Sequence, residues 1–147
     1  MVLNTGMNQA PQFDEQGRYV AVTGDVTVRV QPAFLPRQSD PESSQYVWAY
    51  EVTIENEGPR RVQLLNRYWH ITDGLGRIEE VRGAGVIGKQ PVLSPGQSFS
   101  YTSGCPLQTT SGIMVGHYEM VAEDGERFLV QIPAFSLDLP HGGQSVN

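Results

Sequence analysis

Gln45–Asn56, QYVWAYEVTIEN, is the stretch on which the fold turns. Tyr46, Trp48, Tyr50, Val52 and Ile54 alternate with Gln45, Val47, Ala49, Glu51 and Thr53, so large apolar side chains recur with a period of two. A strand sends successive side chains to opposite faces, and this pattern therefore describes an extended segment with one face buried and one face wet. Aromatic and β-branched side chains suit such a pleated, half-buried surface. The run stops at Asn56-Glu57-Gly58-Pro59, a cluster of turn-forming residues.

The same period continues outward on both sides. Val26, Val28 and Val30 alternate with Thr27, Arg29 and Gln31. Between Arg61 and Asp73 the phase changes: Val62 and Leu64 share one parity, and Leu65, Arg67, Trp69 and Ile71 share the other. One extra residue near Leu64–Asn66 restores a common face, so a β-bulge is predicted there. Asp73-Gly74-Leu75-Gly76 predicts a turn before a short strand from Arg77 to Val81, and Ser94-Pro95-Gly96-Gln97 predicts another that leads into Phe99 and Tyr101. Ile113 to Ala122 and Glu126 to Ser136 flank Glu123-Asp124-Gly125. Asp-Gly between alternating runs predicts a hairpin, because glycine tolerates the positive φ of the turn. No helical stripe with caps persists anywhere. These patterns predict an all-β fold, an immunoglobulin- or fibronectin type III-like β-sandwich of about seven antiparallel strands. A small antiparallel barrel is the alternative.

A length of 147 residues suits one domain with a real core. Polar, Gly- and Pro-containing ends predict a flexible N-terminal extension over 1–17, a folded domain over 18–140 and a flexible tail over 141–147. Ten basic and sixteen acidic side chains leave a net charge of −6, which disfavours nucleic acid as a partner. Cys105 is the only cysteine, so no internal disulfide forms. The N-terminus has neither a basic start nor an apolar run, and no window is apolar enough to span a bilayer; the expectation is a cytoplasmic protein without a membrane partner.

Gly83-Ala84-Gly85-Val86-Ile87-Gly88 has the form G-x-G-x-x-G. In a dinucleotide-binding fold that motif follows a strand and opens a helix. Here Lys89-Gln90-Pro91 comes next, and the proline disfavours a helix. Two readings remain. Glycine N–H groups bracketed by Arg82 and Lys89 form an anion-binding nest, or the glycines let the chain cross where Cβ atoms would clash. The candidate anion or pyrophosphate site is accordingly Arg82, Gly83, Gly85, Gly88 and Lys89.

His70, Asp73, Glu79, Glu80, His117 and Glu119 lack the spacing of a known metal site, although His70 and His117 sit on strands that pairing would make neighbours. No metal and no cofactor is expected. Cys105, in Ser103-Gly104-Cys105-Pro106, has no neighbouring base or positive charge to make it reactive. No Ser/His/Asp set stands out, so the chain does not read as an enzyme. Trp48 and Trp69 are expected between two sheets, and Tyr46, Tyr50, Tyr68, Tyr101 and Tyr118 along a face or groove.

The ordered series Trp48-Ala49-Tyr50-x-Val52-x-Ile54-x-Asn56, Val62-Gln63-Leu64-Leu65-x-Arg67-x-Trp69-x-Ile71-Thr72-Asp73, and Val81-x-Gly83-x-Gly85-Val86-x-Gly88-x-Gln90-Pro91 resembles the ApaG (CorD) family. Leu93-x-Pro95-Gly96, Tyr101-x-Ser103-Gly104 and Gly112-x-Met114-x-Gly116-x-Tyr118 continue the likeness, which covers about Gly24 to Leu137. The resemblance implies the same sandwich fold, an association with cobalt resistance and magnesium efflux, and a gene neighbourhood that handles diadenosine polyphosphates. It also implies an interaction module, since similar domains end F-box and polymerase-interacting proteins. It carries over no catalytic residue, and implies pyrophosphate binding at the glycine loop. The resulting expectation is a non-catalytic binding module with a protein partner. A nucleotide- or pyrophosphate-binding protein is the alternative, and edge strands leave a homodimer open.

Overall fold

The computed structural model describes residues 10–140. Nine strands follow one another: β1 (Tyr19–Thr23), β2 (Val26–Phe34), β3 (Tyr46–Asn56), β4 (Val62–Asp73), β5 (Ile78–Ala84), β6 (Val92–Leu93), β7 (Ser98–Leu107), β8 (Gly112–Ala122) and β9 (Arg127–Leu137). They form two antiparallel sheets, one ordered β1-β2-β3-β7 and the other β5-β4-β8-β9, with β6 added beside β4. The fold is therefore the sandwich that the alternation describes. The strands beyond about seven are short ones, β1 and the two-residue β6. β1 carries no clean alternation because it lies on an edge, with Val22 64% exposed.

Each sheet contributes its apolar parity to one core. Val28, Val30, Trp48, Val52 and Ile54 come from the first sheet; Leu64, Trp69, Met114, Tyr118, Ile132 and Phe135 come from the second. Phe135 sits at the centre of an aromatic cluster, with ring centroids 5.7 Å from Tyr50 and 5.8 Å from Trp69. The indole N–H of Trp48 donates to the Asp138 carbonyl at 2.8 Å, which satisfies its single donor in the interior.

The β4–β8 register shifts between Leu64 and Asn66, where the parity change places a bulge. Below it Arg67, Trp69 and Ile71 return to the inner face. The β8–β9 hairpin turns at Asp124-Gly125, with Gly125 at φ 91° and its N–H donating to the Ala122 carbonyl at 2.8 Å. A second register shift, between Met114 and Gly116, has no counterpart in the sequence pattern.

The two long sides of the sandwich differ. On one, β1 lies against β9: the Gln131 N–H donates to Thr23 Oγ1 at 3.0 Å and the Ser136 N–H to the Tyr19 hydroxyl at 3.4 Å. On the other, β5 and β7 each pair with one strand only among the described residues and face one another across a gap. Contacts also begin before Arg18, since Phe13 bridges to Tyr19 and Asp14 binds Arg18 at 2.8 Å and Arg29 at 3.1 Å. Residues 1–9 of the predicted extension and the predicted tail 141–147 lie outside the described residues.

Candidate functional site

The gap between β5 and β7 opens into a cleft of about 390 Å³ with inner-face side chains as its floor. Trp69, Val81, Val86 and Met114 make that floor apolar, while Arg67, Tyr50, Tyr101 and Ser103 supply polar atoms. A second hollow of about 490 Å³ adjoins it, sharing Ile71, Glu79 and Pro106 and running on towards Arg77, Leu107 and Gln108. Together they make a long groove alongside the edges of β5 and β7, which are unpaired among the described residues.

Arg67 reaches this groove because the bulge at Leu65 restores inner parity to β4. Its Nη1 donates to the Ala84 carbonyl at 3.1 Å and the Gly85 carbonyl at 2.9 Å, which fixes the guanidinium across β5. Gly83 is the residue opposite Arg67, and a Cβ there would stand 2.8 Å from the guanidinium. The first glycine of the motif therefore makes room for an arginine. The other two serve a turn: Val86 and Lys89 exchange backbone hydrogen bonds at 2.8 and 2.9 Å, with Ile87 at φ 42° and Gly88 at φ 77° between them. Positive φ at both central residues defines a type I′ turn. Gly85, at φ 65°, donates its N–H to the Leu65 carbonyl, and a Cβ on it would run into the Lys89 carbonyl oxygen.

The five sequence-designated residues thus divide. Gly83, Gly85, Gly88 and Lys89 gather at the end of β5, next to Arg67. The Gly85 N–H is already engaged, and of the turn amides those of Ile87 and Gly88 have no partner among the described residues. Arg82 points to the opposite face of the sheet, 4.7 Å over the Tyr68 ring and 3.8 Å from Glu80. That outer face carries a different grouping, with Tyr68 stacked on His117 at 4.9 Å and bonded to Glu80 at 2.6 Å. His70 lies opposite Val115 and His117 opposite Tyr68, so the two imidazoles are diagonal rather than paired. Among the described residues no group of three or more His, Cys, Asp or Glu side chains converges.

Arg67 was read from sequence only as a strand residue; the signal for it was its parity, shared with Trp69 and Ile71. Three tyrosine hydroxyls lie near it. Burial raises the Tyr50, Tyr101 and Tyr118 pKa values, and the Arg67 charge opposes the rise at all three. Tyr101 and Tyr118 share a buried hydroxyl–hydroxyl hydrogen bond. Burial, reinforced by the Glu79 charge, pushes the Cys105 thiol up to about 11, which leaves little thiolate for nucleophilic chemistry.

The ApaG domain family model matches residues 36–122, a span that runs from before β3 to the end of β8 and contains every side chain of the cleft floor. The chain belongs to the ApaG family. It is 60% identical to Protein ApaG of Mesorhizobium japonicum over 129 residues, 88% of this chain and 99% of that relative. It is 56% identical over the same shares to Protein ApaG of Brucella abortus. A solved structure described as the putative ApaA protein from Bordetella pertussis superposes with a TM-score of 0.78 at 52% identity, covering 80% of this chain and 95% of that one. In ApaG terms, the glycine series read at the outset is the β5 end, its turn and the seat of Arg67. Among the described residues no helix is long and apolar enough to cross a membrane.

Proposed function

We propose that this ApaG-family chain is a non-catalytic binding module that receives an extended segment of a protein partner along the open side of the sandwich. The observation that supports it is the groove between β5 and β7, an elongated hollow bordered by two strand edges whose outer backbone groups have no strand partner among the described residues. An extended peptide adds to such an edge through main-chain hydrogen bonds and places alternate side chains in the hollow. Pro106 removes one donor from β7, so addition there is restricted to the part before it; β5 contains no proline. Panning a random-peptide display library on the full chain tests this. Extended sequences that slow amide exchange along β5 or β7 are the expected product; an empty selection, or binders that protect only the outer sheet faces, contradict the reading.

A phosphate-bearing small molecule, a nucleotide or pyrophosphate, at the glycine turn is the second reading. It is favoured by the unpartnered Ile87 and Gly88 amides and by Lys89, which has no ion-pair partner among the described residues. Titration with ATP, diadenosine tetraphosphate and pyrophosphate, followed at the amides of Gly83, Gly85 and Gly88, decides it; unmoved resonances at millimolar ligand reject it. On the first reading, the module works in the cytoplasm, and cobalt resistance and magnesium efflux are indirect results of partner binding. Calorimetric binding of Co²⁺ or Mg²⁺ by the isolated chain would overturn that last point.

A further inference from the structure

We infer that Arg67 is the anchor of the groove, and that the extended segment bound there carries a glutamate or aspartate side chain whose carboxylate is seated on its guanidinium. This deepens the binding-module reading and rests on it. Of the partly buried arginines in the described residues, Arg18, Arg29 and Arg60 each have a carboxylate partner within 3.1 Å, and Arg67 has none. Taking a cation out of water is costly unless an anion compensates it. What holds Arg67 is two backbone carbonyls, both on Nη1, so Nε and Nη2 have no partner among the described residues. That free edge of a planar guanidinium matches the two oxygens of a carboxylate.

The surroundings favour one negative charge over several. The chain carries −6 overall, and Glu79 lines the same groove. These charges repel a polyphosphate more strongly than a single carboxylate. Trp69, Val81, Val86 and Met114 give the floor an apolar stretch, which suits apolar side chains two residues to either side of that carboxylate on an extended strand. The geometry is also built for the arginine: Gly83 is the residue whose Cβ would displace the guanidinium.

The test is carried by the ligand as well as by the protein. A capped peptide alternating valine and threonine with one valine replaced by glutamate, its glutamine counterpart and pyrophosphate are titrated into the full-length chain, and backbone amides together with the Arg67 Nε–H are followed by NMR. The expected result is that the glutamate peptide binds at least about tenfold more tightly than the glutamine peptide and shifts the Arg67 Nε–H. Arg67→Gln abolishes the difference and Arg67→Lys keeps part of it. Equal affinity of the two peptides at the β5 or β7 edge overturns the carboxylate anchor and leaves the broader module standing. Shifts by pyrophosphate alone overturn both in favour of the glycine-turn reading, and no response to any probe counts against both. Because the two peptides are compared on the unaltered chain, a misfolded variant does not blunt the test.

Discussion

At the scale of single residues, the glycines of one motif do different jobs, and substitution separates them. A Cβ at Gly83 meets only the far end of the Arg67 side chain, whereas one at Gly85 meets the Lys89 backbone at a residue held at φ 65°. Gly83→Ala is expected to change stability by less than about 1 kcal/mol while weakening carboxylate binding, because a flexible guanidinium moves aside. Gly85→Ala is expected to lose about 2 kcal/mol or more, from positive φ and a backbone clash together. Urea melts of both variants check the contrast. Asn56 is a second such residue. Its Nδ2 donates to the Arg60 carbonyl at 2.7 Å and the Leu93 carbonyl at 3.0 Å, and its Oδ1 accepts from the Gly58 N–H at 3.1 Å. Asn56→Ala leaves these groups without a partner, and the expected loss is about 3 kcal/mol in the urea midpoint analysis. The turn at Asn56 was legible from its neighbours. That its amide ties this turn to Leu93 was not, because Leu93 is distant in sequence and the Arg60 carbonyl lies outside the turn pattern.

At the scale of elements, parity decides what is legible. The bulge in β4 showed in the sequence because Leu64 and Leu65 both belong to apolar runs of opposite phase, separated by polar residues. The β8 irregularity did not, because Met114, Val115 and Gly116 are all buried, and consecutive buried residues conceal a change of phase. Gly116 allows β8 to approach β4 there, where a Cβ would press on the Tyr68 carbonyl. Deleting Tyr68, beyond the bulge, slips the register by one residue and sends Trp69 and Ile71 to the wet face, whereas deleting Leu65 would only remove the extra residue and leave a regular strand. The expected outcome is loss of the cooperative unfolding transition, seen by circular dichroism. The β5 turn also holds a β-branched residue, Ile87, at φ 42°. Ile87→Asn relieves that strain, and a gain of about 1 kcal/mol in stability is expected on thermal or urea melting. The G-x-G-x-x-G spacing named a turn of special backbone geometry correctly, but spacing alone did not say that its first glycine faces an arginine from another strand.

At the scale of the whole molecule, the sandwich is closed where β1 meets β9 and open where β5 faces β7. Tyr101, Tyr118 and Cys105 all have pKa values raised by burial. Groups that hold protons more tightly when folded stabilise the fold fully below their unfolded pKa values. That contribution declines as pH rises past 9.0 for the thiol and past 10.0 for the phenols. Urea midpoints are therefore expected to fall between about pH 8 and about pH 10.5. The fall is expected to be smaller in Tyr118→Phe, and a flat profile in the unaltered chain would contradict the assignment. Acid acts elsewhere. Burial would raise the Asp14 carboxyl, but hydrogen bonds from Arg18, Gln16 and Arg29 outweigh it and lower its pKa to about 2. The contact holding Asp14 to Arg18 and Arg29 is thus retained above the ordinary carboxylate range and lost as pH falls towards that value.

The central claim is that the open side, with Arg67 as its anchor, is the binding face. Amide hydrogen exchange on the full-length chain, with and without the single-glutamate peptide, tests it most directly. Slowed exchange confined to β5, its turn or β7 before Pro106, with the β1 edge unchanged, is the result predicted. Protection elsewhere, or the same protection in Arg67→Gln, would contradict it.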